Sequence, residues 1–537
     1  MTIFSVFFIS VTVSIILIPI LMRYAVELGM VDEPGERKVH QNAIPRCGGI
    51  GLAIGAVIAV LLFLPKDHAL FSLVSGSAII LIFGFLDDRL ELNYKWKFFG
   101  QFLATGFVIY GGIKIVFLPF LGFEPAPWFL TIPLTVIFTI GVTNAVNLSD
   151  GLDGLAAGIM LLTLLAIAFM AYESLDIGVI IFALAVVGGI VGFLWFNTHP
   201  AIVFMGDTGS QFIGFIVVFL TLYLTQDVNP AYNPALPLLL VGLPILDTLT
   251  VMIRRIRSGR SPFSPDKTHI HHRLLELGFT HAEAVGAIYL LHSIFLIAAL
   301  YFRYSSDVVV VGVYLIISLG ILALFYVAKK NNWSLHNTQE GVDRRGRSIW
   351  RNEYIFQYSR IFISASIGFY LLLTGGLLID EIIALPAGVY ALAVPGMLLF
   401  FIAPGFIQNL WIRFSVYNTA ILSLIMKDEF PQLSVLDNGL LDGFLFILII
   451  VVSIAIRTTR KSKFILTTQD LLIILFTLFS SFIVGSQLIG SVLFRLFSLG
   501  YAIEYLIHRD FYKSQLLRFI AAFSGFIVFS LVWLHLH

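Results

Sequence analysis

Cysteine is almost absent: Cys47 stands alone among 537 residues. That excludes an intramolecular disulfide and any metal cage built on several thiolates. Charge is scarce too, 12% of residues with a net of +1, so bulk electrostatics offers nothing to nucleic acid or to a strongly acidic partner. The period-two alternation of a membrane β-barrel is missing. The first apolar run, Phe4 to Leu21, has no basic stretch before it and no small-residue cleavage site after it, only Arg23. It is expected to stay as a span and not to be cut as a signal. What fills the chain is apolar: 58% of residues are hydrophobic and 50 are phenylalanine. Runs of roughly 17–25 such residues cross a hydrocarbon core as helices, and the expected fold class is an all-α polytopic membrane protein.

Eleven spans are expected in the first part, at roughly 3–22, 47–64, 69–86, 99–118, 128–147, 154–172, 177–195, 207–225, 235–252, 283–302 and 308–327. With the amino terminus outside, the inner loops carry Arg23, Arg37, Lys38, Arg46, Arg89, Lys95, Lys97, Arg254, Arg255, Arg257, Arg260, Lys267 and Arg273. The outer ends carry Lys66, Lys114 and Arg303, so the bias of thirteen against three puts the basic loops in the cytoplasm. The core is expected to occupy residues 1–327, followed by a polar cytoplasmic linker at 328–360 and an extension of about seven further spans over 361–537. No internal repeat is evident, and the role of the extension is not readable.

Side chains capable of chemistry gather in the inner loops. Asp87 and Asp88 in "FGFLDDR", with Lys95 and Lys97 after them, read either as a solvated helix end or as carboxylates for proton, metal or phosphate work. In "NAVNLSDGLDGLAAG", residues 144–158, the oxygen-bearing Asn147, Asp150 and Asp153 recur every three residues and would share a face if the segment were helical. Gly151, Gly154 and Gly158 with a capping Asp150 give the plainer reading, close helix packing, which explains one carboxylate and not three side chains. Asp207 in "MGDTGS" is by itself an N-cap. With the others it supplies a hard oxygen ligand for Mg²⁺. His269, His271 and His272 sit in a cation-rich loop with Lys267 and Arg273 and without cysteine, a setting that favours a phosphate over zinc. Acidic loops for Mg²⁺ and basic loops for phosphates at one membrane face imply a soluble nucleotide-sugar meeting a lipid phosphate.

Taken in order, "FGFLDDR", "NAVNLSDGLDGLAAG", "FMGDTGS" and "SPFSPDKTHIHHRL" resemble the polyprenyl-phosphate N-acetylhexosamine-1-phosphate transferases over roughly residues 1–327. The resemblance implies transfer of N-acetylglucosamine-1-phosphate, or a related N-acetylhexosamine-1-phosphate, from a UDP-sugar to undecaprenyl or another polyprenyl phosphate. UMP is released, and the step initiates cell-surface glycan assembly. It makes Asn147 and Asp207 the Mg²⁺ ligands, with Mn²⁺ as a substitute, and places Asp87, Asp88 and Lys97 at the reacting phosphates. Asp150 is grouped with these as catalytic, with its role ambiguous. Asp153 would meet the uracil, and His269, His271, His272 and Arg273 the sugar and diphosphate. Lys38, His40 and Arg46 fit the family's first-loop pattern as substrate-binding residues. Also implied are a multi-pass protein of the bacterial inner membrane with a cytoplasmic active site, and a homodimer or downstream glycan-assembly enzymes as partners. The rivals are a phospho-N-acetylmuramoyl-pentapeptide transferase-like activity, whose loop is richer in histidine, and a transporter, which the crowding of carboxylates at the inner boundary disfavours.

Overall fold

The computed structural model describes residues 2–32, 43–122, 124–261 and 268–336, with a few isolated positions beyond. The chain divides into two units, and these continuous segments lie in the first, Met1–Gly341. The expected extension at 361–537 and most of the linker lie outside the described residues, as do Lys38, His40 and Lys267.

The described residues are helical, apart from a two-residue antiparallel pairing of β1 (Val31–Asp32) with β2 (Ile44–Pro45). The helices are α1 (Thr2–Tyr24), α2 (Gly48–Phe63), α3 (His68–Leu90), α4 (Tyr94–Tyr110), α5 (Trp128–Leu148), α6 (Leu155–Glu173) and α7 (Ile177–Asn197). They continue as α8 (Gly206–Tyr223), α9 (Pro237–Leu240), α10 (Gly242–Arg257), α11 (Ile270–Glu276), α12 (His281–Phe302) and α13 (Asp307–Lys330). A π-helical turn, Leu224–Val228, prolongs α8. Eight of the described helices are long and apolar enough to cross a membrane.

Three expected spans differ from the structure. The span at 99–118 is displaced: α4 starts at Tyr94, behind an Asn93 cap that accepts from the Lys95 N–H, and stops at Tyr110. The span at 235–252 is broken at Val241 into α9 and α10. Pro244 has no N–H to give the Leu240 carbonyl one turn back, and that carbonyl accepts the Thr163 hydroxyl at 3.2 Å. At 16 residues α2 is also short, though apolar. Hydropathy alone marks all three as spans because it does not see where backbone hydrogen bonding stops.

α8 is the central helix, packed against α2, α3, α5 and α6 and buried along almost its whole length. Small residues make this approach possible: a methyl group on Gly49 of α2 would collide with the Gly209 backbone of α8. The first loop is sewn to the start of α8. Phe204 N–H donates to the Pro45 carbonyl at 2.7 Å, and Gly48 and Gly49 N–H donate to the Phe204 and Met205 carbonyls at 3.0 and 2.9 Å. The ends of α3, α5 and α7 and the starts of α4, α8 and α12 therefore meet at one end of the bundle.

Candidate active site

The turn between α3 and α4 is tight, with Glu91 in the left-handed conformation at φ 48°, and it brings Lys97 back over the end of α3. Lys97 Nζ lies 2.5 Å from Asp87 Oδ2 and 2.6 Å from Asp207 Oδ2 on α8. Asn147, in the last turn of α5, donates Nδ2 to Asp207 Oδ1 and to Ser210 Oγ, both at 2.8 Å. Its amide hydrogens are thereby committed, and its Oδ1 keeps no donor among the described residues. Four elements thus converge on one ammonium, two carboxylates and a carboxamide oxygen.

Asp88 does something else. Neighbours on a helix point about 100° apart, and Asp88 faces the start of α8. Its Oδ1 accepts Asp207 N–H at 2.7 Å, and its Oδ2 accepts Thr208 N–H at 2.9 Å and Thr208 Oγ1 at 2.5 Å. It is a cap supplied from another helix, satisfying N–H groups that have no partner within α8. Asp207 is therefore a first-turn residue of a helix capped by Asp88, and not the cap itself. Gly206 is required at this junction: φ is +70°, and a β-carbon would sit 2.6 Å from Asp88 Oδ2.

The segment after α5 is not helical, so Asn147, Asp150 and Asp153 do not share a helix face. Nor does Asp150 cap α6, whose N-cap is Gly154 without a side-chain bond. The Asp150 carboxyl has no hydrogen-bond partner among the described residues. Burial, then the charges of Asp207, Asp153 and Asp88, push it up to about 7. Asp153 is the opposite case. Burial opposes its ionisation, but His199 Nδ1 at 2.6 Å, the Ala201 N–H at 3.2 Å and the nearby His281 outweigh it and hold the carboxyl below its usual range.

One turn beneath the charged layer lies a second, neutral one on three of these four helices. Gln101 Nε2 donates to Gln211 Oε1 at 3.0 Å, and Asn144 Nδ2 donates to Gln101 Oε1 at 2.8 Å. Gln101 and Gln211 are 1% and 4% exposed, so this carboxamide network ties α4, α5 and α8 together inside the bundle.

The histidine loop docks beside the loop after α5 through Gly151, where a β-carbon would strike the His271 ring. His269 Nδ1 bonds Asp247 Oδ2 at 2.8 Å, and Asp247 Oδ1 accepts the Ile270 N–H at 2.8 Å. Asp247, on α10, thus orients one histidine and caps α11. His271 is buried, and burial, then the charge of His272, pushes its pKa down to about 4. A cavity in this region is lined by Ser149, Leu155, Pro244, Asp247, His271 and Ile288, among others. Arg273 Nε donates to the Thr268 carbonyl at 3.0 Å, its guanidinium lies 5.8 Å from the Phe325 ring of α13, and its Nη2 is buried without a hydrogen-bond partner among the described residues. Arg46 is ion-paired with Asp32 in the first loop. The structure therefore gathers Asp87, Lys97, Asn147 and Asp207, sets Asp88 and Asp150 beside them, and pairs Arg46 with Asp32. Reading the sequence missed Gln101, His199, Asp247 and His281. Asp247 had a signal, as the one carboxylate in its apolar run.

The donor set suits a hard divalent cation. Asp87 and Asp207 crowd together with one ammonium between them, and among the described residues Asn147 Oδ1 has no donor and no softer ligand touches the group. Acidic oxygens beside a cation thus gather at one end of a bundle of membrane-length helices. The sequence profile of glycosyl transferase family 4 matches residues 70–225, which contain Asp87, Asp88, Lys97, Asn147, Asp153 and Asp207. The chain is 38% identical over 303 residues to the probable undecaprenyl-phosphate N-acetylglucosaminyl 1-phosphate transferase of Bacillus subtilis (strain 168), covering 56% of this chain and 85% of that protein. With the decaprenyl-phosphate N-acetylglucosaminephosphotransferase of Mycolicibacterium smegmatis it shares 36% over 332 residues, 55% of this chain and 82% of the relative. With the undecaprenyl-phosphate alpha-N-acetylglucosaminyl 1-phosphate transferase of Escherichia coli (strain K12) it shares 31% over 337 residues, 60% of this chain and 90% of the relative. The chain belongs to glycosyl transferase family 4.

Proposed function

We propose that this protein transfers N-acetylglucosamine-1-phosphate from UDP-N-acetylglucosamine to a polyprenyl phosphate, releasing UMP, at the cytoplasmic face of a bacterial cell membrane. The observation that carries this reading is the convergence of Asp87, Lys97, Asn147 and Asp207 from four elements at one end of the bundle. An oxygen of the lipid phosphate attacks the sugar-bearing phosphorus of the diphosphate, the new P–O bond forms in line, and the bridging P–O bond breaks with its electron pair going to UMP. Positioning and charge stabilisation carry such a step. Asp87, Asp207 and the Asn147 carbonyl oxygen would hold Mg²⁺, or Mn²⁺ in its place, which when bound supplies positive charge to the diphosphate. Lys97, already between the two carboxylates, places its ammonium where charge develops on the leaving phosphate.

A phosphate monoester has a second pKa near 6 and is mostly dianionic at pH 7, so removing a proton contributes little. Asp88, with both oxygens taken by α8, holds the helix that carries Asp207 and needs no role as a base. The test is transfer of labelled sugar from a panel of UDP-sugars to undecaprenyl phosphate by the purified full chain, with UMP release followed in parallel. Labelled lipid from UDP-N-acetylglucosamine is expected. Transfer only from UDP-N-acetylmuramoyl-pentapeptide, or from no UDP-sugar at all, overturns the reading.

A further inference from the structure

Three segments that are remote in sequence meet at Asp153. His199, in the loop before α8, gives Nδ1–H to Asp153 Oδ2 at 2.6 Å, and the Ala201 N–H adds a second bond to the same oxygen at 3.2 Å. His281, the first residue of α12, lies 3.8 Å from that oxygen through Nε2 and accepts the Asp153 backbone N–H at 3.1 Å. The two imidazoles stack, with centroids 4.0 Å apart and planes 17° from parallel. One carboxylate oxygen is therefore locked, while Oδ1 has no hydrogen-bond donor among the described residues. The Asp153 side chain keeps 18% exposure and His199 keeps 41%. A half-locked carboxylate beside an exposed aromatic face fits a planar ring that brings an N–H of its own.

The atoms Asp153 Oδ2, His199 Nδ1 and His281 Nε2 lie within 4.8 Å of one another, a spacing that could also hold a metal ion. Each is already spent in a hydrogen bond of 2.6–3.2 Å, and a metal would have to break them. The bonds favour a clamp.

We propose that His199 and His281 clamp Asp153 so that its Oδ1 accepts the imide N–H of the nucleobase, and that this clamp sets a preference for uracil over cytosine in the nucleotide-sugar. It rests on the reading of Asp153 as a nucleotide contact. Uracil carries a hydrogen on N3 and cytosine a lone pair, so a fixed acceptor rewards one and repels the other. Discrimination by a buried acceptor that the wrong ligand leaves unpaired is steep. A carboxylate free to swing would lose much of it.

Calorimetric binding of UMP and CMP to the full-length protein in detergent tests this without depending on turnover. His199→Ala is expected to weaken UMP binding by roughly tenfold and to shrink the UMP-over-CMP preference by the same factor. In the transfer assay KM for the UDP-sugar rises, while KM for the lipid phosphate stays put. His199→Asn, whose amide N–H replaces the imidazole Nδ1–H, is expected to restore most of both, which separates the clamp from a general packing defect. His281→Phe keeps the ring stack, loses the bond from the Asp153 N–H and gives an intermediate loss. Unchanged UMP affinity and base preference in a monodisperse His199→Ala protein would overturn the clamp. So would stoichiometric Zn²⁺ on the wild type that is lost in both histidine variants, which would make the cluster a metal site. If UMP binding responds as expected but no UDP-sugar is turned over, the proposed reaction fails and the clamp stands.

Discussion

Asp87 and Asp88 are adjacent in sequence and opposite in role. Asp88 accepts three hydrogen bonds at the start of α8, and asparagine there offers one acceptor and turns an amide into N–H donors. Asp88→Asn is expected to cost about 1–2 kcal/mol of stability, read as a lower unfolding temperature in detergent. Thr208→Val, which removes only the hydroxyl, reproduces part of that loss. Asp87→Asn disturbs no cap and is expected to leave the unfolding temperature close to wild type. It should lower transfer by roughly 100-fold or more and weaken Mn²⁺ binding measured by paramagnetic resonance. Equal stability losses in both variants would refute this division of labour. The sequence shows two carboxylates at a helix end, and their importance is legible from that. Which one faces Lys97 and which faces α8 depends on the rotation of α3 against helices more than a hundred residues away, and no local pattern records it. Asp150 is the same kind of case. Its three-residue spacing suggests a helical face, but the helix ends at Leu148, before the carboxylate it was expected to carry.

At the scale of helices, the charged site stands on the neutral layer beneath it. Gln101 lies four residues after Lys97, Gln211 four after Asp207, and Asn144 three before Asn147, so on each helix the lower residue sits about one turn under the upper. Gln101→Leu fills the volume but strands the Gln211 carbonyl, at about 1–3 kcal/mol for the unpaired group, while the Asn144 amide keeps its bond to the Ile140 carbonyl at 2.7 Å. The expected result is a less stable protein whose half-saturating Mg²⁺ concentration for transfer rises severalfold, because the axial register of α4, α5 and α8 is no longer fixed. A variant that loses stability with an unchanged Mg²⁺ response would limit the layer to packing. The short α11 carries a second consequence, through His271. Its folded pKa of about 4 lies below the ordinary histidine value of 6.5, so between these values the unfolded chain binds a proton that the folded chain refuses. This contribution is complete above about pH 6.5 and is lost as pH falls toward 4, by roughly 3 kcal/mol in all. Unfolding curves at pH 7 and pH 5 should diverge less in His271→Gln than in the wild type. An unchanged divergence would mean that His271 is not the group responsible.

For the molecule as a whole, apolar runs were enough to read a polytopic helical protein, and eight of the described helices meet the length and apolarity of a span. The break between α9 and α10 was less legible, although Pro244 was in plain view, because a proline inside a membrane helix can kink it without ending it. At the end of the core, composition and local folding give different signals. Composition turns polar at residue 328, yet α13 runs to Lys330 and the next six residues fold back on the loop between α11 and α12. Leu335 N–H donates to the Leu277 carbonyl at 2.9 Å, the Trp333 and Phe279 rings lie 6.0 Å apart, and His336 Nε2 meets Glu283 at 3.0 Å. Polar residues can be structural when they pair with a loop, and hydropathy cannot separate that from a linker. This return segment braces the far end of α11, the helix whose first turn carries His271 and whose N-cap is His269. A chain ending after residue 340 keeps all three contacts and is expected to insert normally and transfer sugar phosphate within a few-fold of the full protein. A chain ending after residue 330 loses them, and its transfer is expected to fall well below that of the longer truncate, with faster proteolysis between residues 258 and 280 as the direct sign of a loosened loop. If the longer truncate inserts normally yet loses transfer, residues beyond 340 take part in the chemistry, and the proposed boundary between a catalytic core and its extension fails.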